Sequence, residues 1–130
     1  MLVVDTSAAI DALLADPPAA GLVERLSEGG ELAGPHLIDV EVMQALRRLV
    51  RTGAVSEERA TDARADFADL ALTRYPHEPL ADRIWELRNN LTAYDASFIA
   101  LAESLDVPLL TCDRALVGVP GCSAVVELYG

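Results

Sequence analysis

Apolar and polar positions fall into short blocks along this chain, and each block suggests one element. Leu2-Val3-Val4 is an apolar run cut off by Asp5, which predicts a buried strand, and Thr6 or Ser7 is placed to cap a following helix. Pro17-Pro18 separates that helix from a second, in which Leu22, Val23 and Leu26 recur at helical spacing before Gly29-Gly30. Leu32-Ala33 reads as a brief strand. Pro35 then opens a long helical pattern through Leu37, Val40, Ala45, Leu46, Leu49 and Val50 that Gly53 closes. Ser56 with Glu57 and Glu58 marks the next helix start, with an end near Leu70 and a short strand ending near Tyr75. Two more helices are expected from about Pro79 to Arg88 and from about Tyr94 to Leu105. Val107 to Thr111 reads as a buried strand that stops at Cys112-Asp113. A turn of helix around Leu116 and a last strand at Ala124-Val125-Val126 follow.

Strands alternating with helices from end to end imply right-handed crossovers. The expected class is α/β, with a mostly parallel central sheet and helices on both faces. The 130 residues suit one domain, 1–130, and no linker, low-complexity stretch or internal repeat divides it. With 52% hydrophobic but only 5% aromatic residues, the core has to be filled by Ala, Leu and Val.

Charge narrows the chemistry. Asp and Glu number 21, the 10 basic residues are all Arg, and the net charge is -11. Without lysine, Schiff-base chemistry and a phosphate-neutralising ammonium are excluded. So acidic a chain repels nucleic acid at long range unless divalent cations stand between its carboxylates and the phosphates. Cys112 and Cys122 are too few for a disulfide framework or a structural zinc, which points to a reducing compartment. No segment reads as a signal peptide or membrane span, so a soluble, cytoplasmic protein is expected.

Four carboxylates stand out by position. Asp5 and Asp113 each follow a predicted strand, and ligands of open parallel sheets bind at the carboxyl ends of strands. Asp95 falls in the first turn of a helix beside Thr92 and Tyr94, where the macrodipole favours an acid whatever its role. Glu41 is set in the apolar stretch Leu37 to Met43, a costly place for a carboxylate unless a cation compensates it. Oxygen donors without a histidine cluster match a hard divalent ion. His36 and His77 lack partners at metal-ligand spacing and are read as surface or capping residues.

Val3-Val4-Asp5-Thr6-Ser7-Ala8, Glu41-Val42 with Ala45-Leu46-Arg47-Arg48, Tyr94-Asp95-Ala96 and Thr111-Cys112-Asp113 occur in that order. Together with Ile99 to Glu103 and Pro108 to Thr111, they make the chain resemble VapC-type PIN-domain ribonuclease toxins over essentially its whole length. The resemblance implies a PIN fold and an endoribonuclease dependent on Mg2+ or Mn2+, leaving 5′-phosphate and 3′-hydroxyl ends on its RNA substrate. It also implies a homodimer held in check by a cognate VapB-type antitoxin, whose arginine enters the acidic site. By position, Asp5, Glu41, Asp95 and Asp113 would form the catalytic, metal-binding quartet, with Asp5 and Asp95 the firmest ligands and Thr6 and Thr111 as supporting hydroxyls. Asp113 is flanked by Cys112 and Arg114, where some relatives crowd a further acid, which implies weak binding of any second ion.

Arg48 lies seven residues after Glu41, about 10 Å along the same helix face, and is a candidate for a substrate phosphate. Arg114 is a second such candidate, while Arg47, Arg48 and Arg51 equally suit a solvated helix end. Two rival readings share some of these features. A receiver-like phosphoacceptor domain requires a lysine and an adjacent acidic pair, neither of which this chain has. A catalytically inactive PIN-like binding module remains the alternative, with its acids serving solubility.

Overall fold

The computed structural model describes residues 1–130. In chain order it contains β1 (Leu2–Val4), α1 (Thr6–Leu14), α2 (Leu22–Glu28), β2 (Leu32–Pro35), α3 (Leu37–Arg51), α4 (Glu57–Ala68) and β3 (Leu72–Tyr75). A 3-10 turn at Glu78–Leu80 leads into α5 (Ala81–Glu86), followed by α6 (Ala93–Leu105), β4 (Leu109–Thr111), a 3-10 turn at Arg114–Leu116 and β5 (Val126–Leu128).

The five strands form one sheet in the order β3-β2-β1-β4-β5, and every pairing is parallel. From β1 the chain steps outward to β2 and β3, then returns across the sheet to β4 and β5. With right-handed crossovers, that reversal sends the helices before and after it to opposite faces. The packing agrees: α1 touches α2, α3 and α4, whereas α5 packs on α6. The reversal also opens a crevice between the carboxyl ends of β1 and β4, from which Asp5 and Asp113 emerge.

One cluster of 25 buried residues forms the core, and Phe67 and Phe98 are its only aromatics. Helix α6 is its centre. Every residue from Ala96 to Ala102 is buried, and the helix packs against β1, β2 and β4. Burying a side chain the size of Phe98 contributes about 2–3 kcal/mol. Asp95, in the first turn of α6, therefore stands on a rigid base.

Several boundaries differ from the sequence reading for local reasons. The first helix is capped by Asp5, whose carboxylate accepts the Ala8 N–H, rather than by Thr6 or Ser7. Pro35 ends β2 instead of opening α3. His36 N–H donates toward β3, so by strand alternation the missing Pro35 N–H falls on the β1 side, where pairing stops at Ala33. Helix α4 stops at Ala68, short of Leu70, and β4 starts at Leu109, two residues after Val107. The final strand begins at Val126. Val125 is 65% exposed and contributes its carbonyl to Leu109 N–H. Gly53, at φ 78, closes α3 as expected.

Candidate active site

Asp5 is 5% exposed and is gripped from three directions. Its Oδ1 accepts the Ser7 hydroxyl at 2.7 Å and Ala8 N–H at 2.9 Å, and its Oδ2 accepts the Thr111 hydroxyl at 2.5 Å. Each hydroxyl in turn accepts a backbone N–H from the exit of β4. Cys112 N–H donates to Ser7 Oγ and Asp113 N–H to Thr111 Oγ1, both at 2.9 Å. Two small side chains thus tie the ends of β1 and β4 together and fix where Asp113 emerges. The Asp113 carboxylate caps the following 3-10 turn through Ala115 N–H at 3.0 Å.

Glu41 reaches the same place from α3, where its Oε1 accepts the Thr6 hydroxyl at 2.6 Å. Glu41 is not, as the apolar stretch suggested, set among buried side chains. Val40 is 61% and Met43 45% exposed, while Ile38, Val42 and Leu46 form the buried stripe, so Glu41 is only half-buried. What marks it is its company. Asp95 completes the group from α6, where its backbone N–H is capped by Thr92 Oγ1 at 3.1 Å.

The electrostatics follow from this convergence. Burial pushes the Asp95 carboxyl above its ordinary value, and the charges of Asp113, Glu41 and Asp5 push it further, against a smaller opposing effect of Thr92. Asp5 is also raised, chiefly by burial, which outweighs its hydrogen bonds to Thr111, Ala8 and Ser7; Asp113 adds repulsion. No cation answers these charges. The four ion pairs of the structure are Arg25–Glu127, Arg74–Asp39, Arg83–Glu86 and Arg83–Glu103.

This donor set fits a hard divalent cation: carboxylate and hydroxyl oxygens only, two of the acids desolvated, and a surplus of negative charge. No three of the acidic, histidine or cysteine side chains form a ready-made cage. An ion that keeps several waters and uses one or two carboxylates together with substrate phosphates does not require one. Cys112, beside the group, is no nucleophile, because burial and the charges of Asp11 and Asp5 push its thiol up to about 11. His77 does what a capping residue does, its Nε2 accepting Leu37 N–H at 2.9 Å.

Arg48 in the last turn of α3 and Arg114 beside Asp113 are both exposed. Ser7, which the sequence offers only as a helix cap, is a further member of the site. Its hydroxyl donates to Asp5 and accepts from Cys112 N–H, 105 positions farther along the chain, and the only local hint is a hydroxyl two residues after an acid that ends a strand.

The PIN domain family matches residues 2–121. The chain belongs to the PIN-domain family. Within it, the chain is similar to ribonuclease VapC1 of Mycobacterium tuberculosis, 43% identical over 127 residues that cover 97% of this chain and 96% of that protein. It is likewise similar to VapC ribonuclease Mb0985 of Mycobacterium bovis, 47% identical over 119 residues covering 89% and 88%. Among solved structures, PAE2754 from Pyrobaculum aerophilum superposes with a TM-score of 0.72 at 25% identity, covering 98% of this PIN domain and 83% of that chain. The fold is thus that of a PIN domain, and the chain is similar to VapC ribonucleases over nearly its whole length.

Proposed function

We propose that this PIN domain is a divalent-metal-dependent endoribonuclease, the toxin of a VapBC-type toxin–antitoxin pair, acting in the cytoplasm. The observation that carries the reading is the group of four converging carboxylates, Asp5, Glu41, Asp95 and Asp113, which no cation of the chain balances. Similarity to VapC ribonucleases over nearly the whole chain supports RNA as the substrate.

In this reading Asp5 and Asp95 are the principal ligands of Mg2+ or Mn2+, with Glu41 and Asp113 completing the negative field. The bound ion supplies Lewis acidity toward water and the scissile phosphate. The chain's own contribution is placement. Ser7, Ala8 N–H and Thr111 hold the Asp5 carboxylate in one orientation, and Thr6 holds Glu41. Repulsion among the acids disfavours their full ionisation, which a bound cation would relieve. Arg48 and Arg114 would meet substrate phosphates.

The inhibitory partner is a VapB-type antitoxin that places an arginine among the acids, and two toxin copies associate as a homodimer. The arginine would take the cation's place in the charge balance. Helix α1 begins at the acidic crevice, and farther along Ala9, Ala12 and Leu13 line an apolar groove of about 280 Å3 with Val23 and Leu26 of α2. A segment seated there has its path to the acids along α1.

The test is cleavage of a mixed cellular RNA pool by partner-free protein with Mg2+, with chelator, and with folded Asp5→Asn and Asp95→Asn. The expected result is cleavage that needs the ion and disappears in both variants. No cleavage under any condition, with melting unchanged by Mg2+, would favour the inactive binding module.

A further inference from the structure

The ten arginines divide into two sets. Arg25, Arg59, Arg74, Arg83 and Arg88 each donate a side-chain hydrogen bond within the chain. Arg47, Arg48, Arg51, Arg64 and Arg114 enter none of the chain's side-chain hydrogen bonds or ion pairs, and four of these five gather around the C-terminal half of α3 and the facing side of α4. Three of them, Arg47, Arg51 and Arg64, line an open groove of about 470 Å3 floored by Leu46, Val50 and Ala60, where Glu57 is the single carboxylate. In a chain of net charge -11, this groove is a local excess of positive charge.

The helix dipole accounts for only part of it. Arg48 and Arg51 sit in the last turn of α3, where cations are favoured, but Arg64 lies in the body of α4 and belongs to no helix end. Guanidinium groups from two helices, turned to one groove and free of carboxylate partners, suit the phosphates of an extended strand. The path from the acidic site is continuous. Arg48 shares the helix face of Glu41 about 10 Å farther on, and Arg51 and Arg47 step about 60° and 100° round α3 from it toward the groove.

We infer that the α3–α4 groove is a second RNA contact, in which Arg47, Arg51 and Arg64 hold backbone phosphates of the strand whose scissile bond lies among the acids. This rests on the nuclease reading for the identity of the polymer. It resolves the difficulty of an acidic protein binding RNA: the strand is anchored at the groove, away from the carboxylates, and reaches the crevice already held.

Binding is read apart from cleavage by working in chelator. The probe is a fluorescent single-stranded RNA of about 20 nucleotides and mixed sequence, with anisotropy followed between about 50 and 200 mM salt. Replacing the three arginines together, Arg47→Gln, Arg51→Gln and Arg64→Gln, is expected to weaken binding at least tenfold at the lowest salt and to flatten the log–log salt slope by about 2, at about 0.7 per phosphate. The corresponding triple lysine variant keeps the charge and is expected to keep most of the affinity. Unchanged affinity and slope in the folded glutamine variant would overturn the proposal. So would a polyglutamate of equal charge that displaces the RNA from the wild type, since the groove would then suit an acidic protein segment better. Failure of the nuclease reading looks different: no cleavage with Mg2+, yet RNA binding that still depends on the three arginines.

Discussion

Helix α6 carries two acids eight residues apart, about 12 Å along its axis, in opposite circumstances. Glu103, near the C-terminal end, has a side chain only 9% exposed and fully provided for. Arg83 of α5 grips it at 2.8 and 3.0 Å, Ser123 donates both its N–H and its hydroxyl, and these partners draw its pKa down to about 2. Asp95, at the N-terminal end, faces three more carboxylates and has its pKa raised. A carboxylate kept for architecture arrives with its cation built into the fold. The other end leaves that place for something that binds, and there the chain accepts a cost in stability that a structural role would not explain.

Breaking the uncompensated end should have the largest effect. Asp95→Asn is expected to lower RNA cleavage on the order of 1000-fold. Its melting temperature should hold or rise, since the change removes repulsion from Asp113, Glu41 and Asp5. Rates and melting curves from one preparation check both halves. Breaking the compensated end should do the reverse. Glu103→Ala strands Arg83 and the Ser123 donors and is expected to cost about 2 kcal/mol, lowering the melting temperature by roughly 5 to 10 °C. Cleavage at a temperature where the variant is folded should match the wild type.

Ser7→Ala sharpens the contrast within the acidic site. It deletes a donor to Asp5 and the acceptor of Cys112 N–H, so about 1 kcal/mol of stability and about tenfold in kcat should be lost with KM little changed. The smallest effect is in acid. Because Glu103 titrates near 2 in the folded state against an ordinary 4.5, its contribution is complete above pH 4.5 and drains away as pH falls toward 2. Asp39 and Glu127, lowered by Arg74 and Arg25, add to the same slope. Glu103→Gln should therefore make the acid arm of a stability-against-pH curve shallower without flattening it.

The two ends of α6 were not equally legible from the residues. Asp5 and Asp113 stand out because apolar strands stop at them, and the alternation of strands and helices gives the parallel sheet on which they meet. Asp95 stands out only as an acid in a first turn, where the macrodipole favours one whatever its role, and the resemblance to VapC toxins is what implies its part in the site. The Glu103 clasp left no signal at all, since its partners Arg83 and Ser123 lie 20 residues away on either side in unrelated elements. Three cap-forming residues in a row, Asp5, Thr6 and Ser7, made the start of α1 ambiguous; because Asp5 takes the cap, Thr6 is free for Glu41 and Ser7 for Cys112 N–H of the β4 exit.

The most direct test of the account is melting against Mg2+ concentration for the wild type, Asp95→Asn and Glu103→Gln, without RNA or partner. An ion at about ten times its dissociation constant adds about 1.4 kcal/mol to a fold that alone can bind it, or roughly 5 °C. The expected result is that rise in the wild type and in Glu103→Gln, and its loss in Asp95→Asn. No rise in the wild type, or an equal rise in all three, would contradict the claim that the uncompensated acids await a cation.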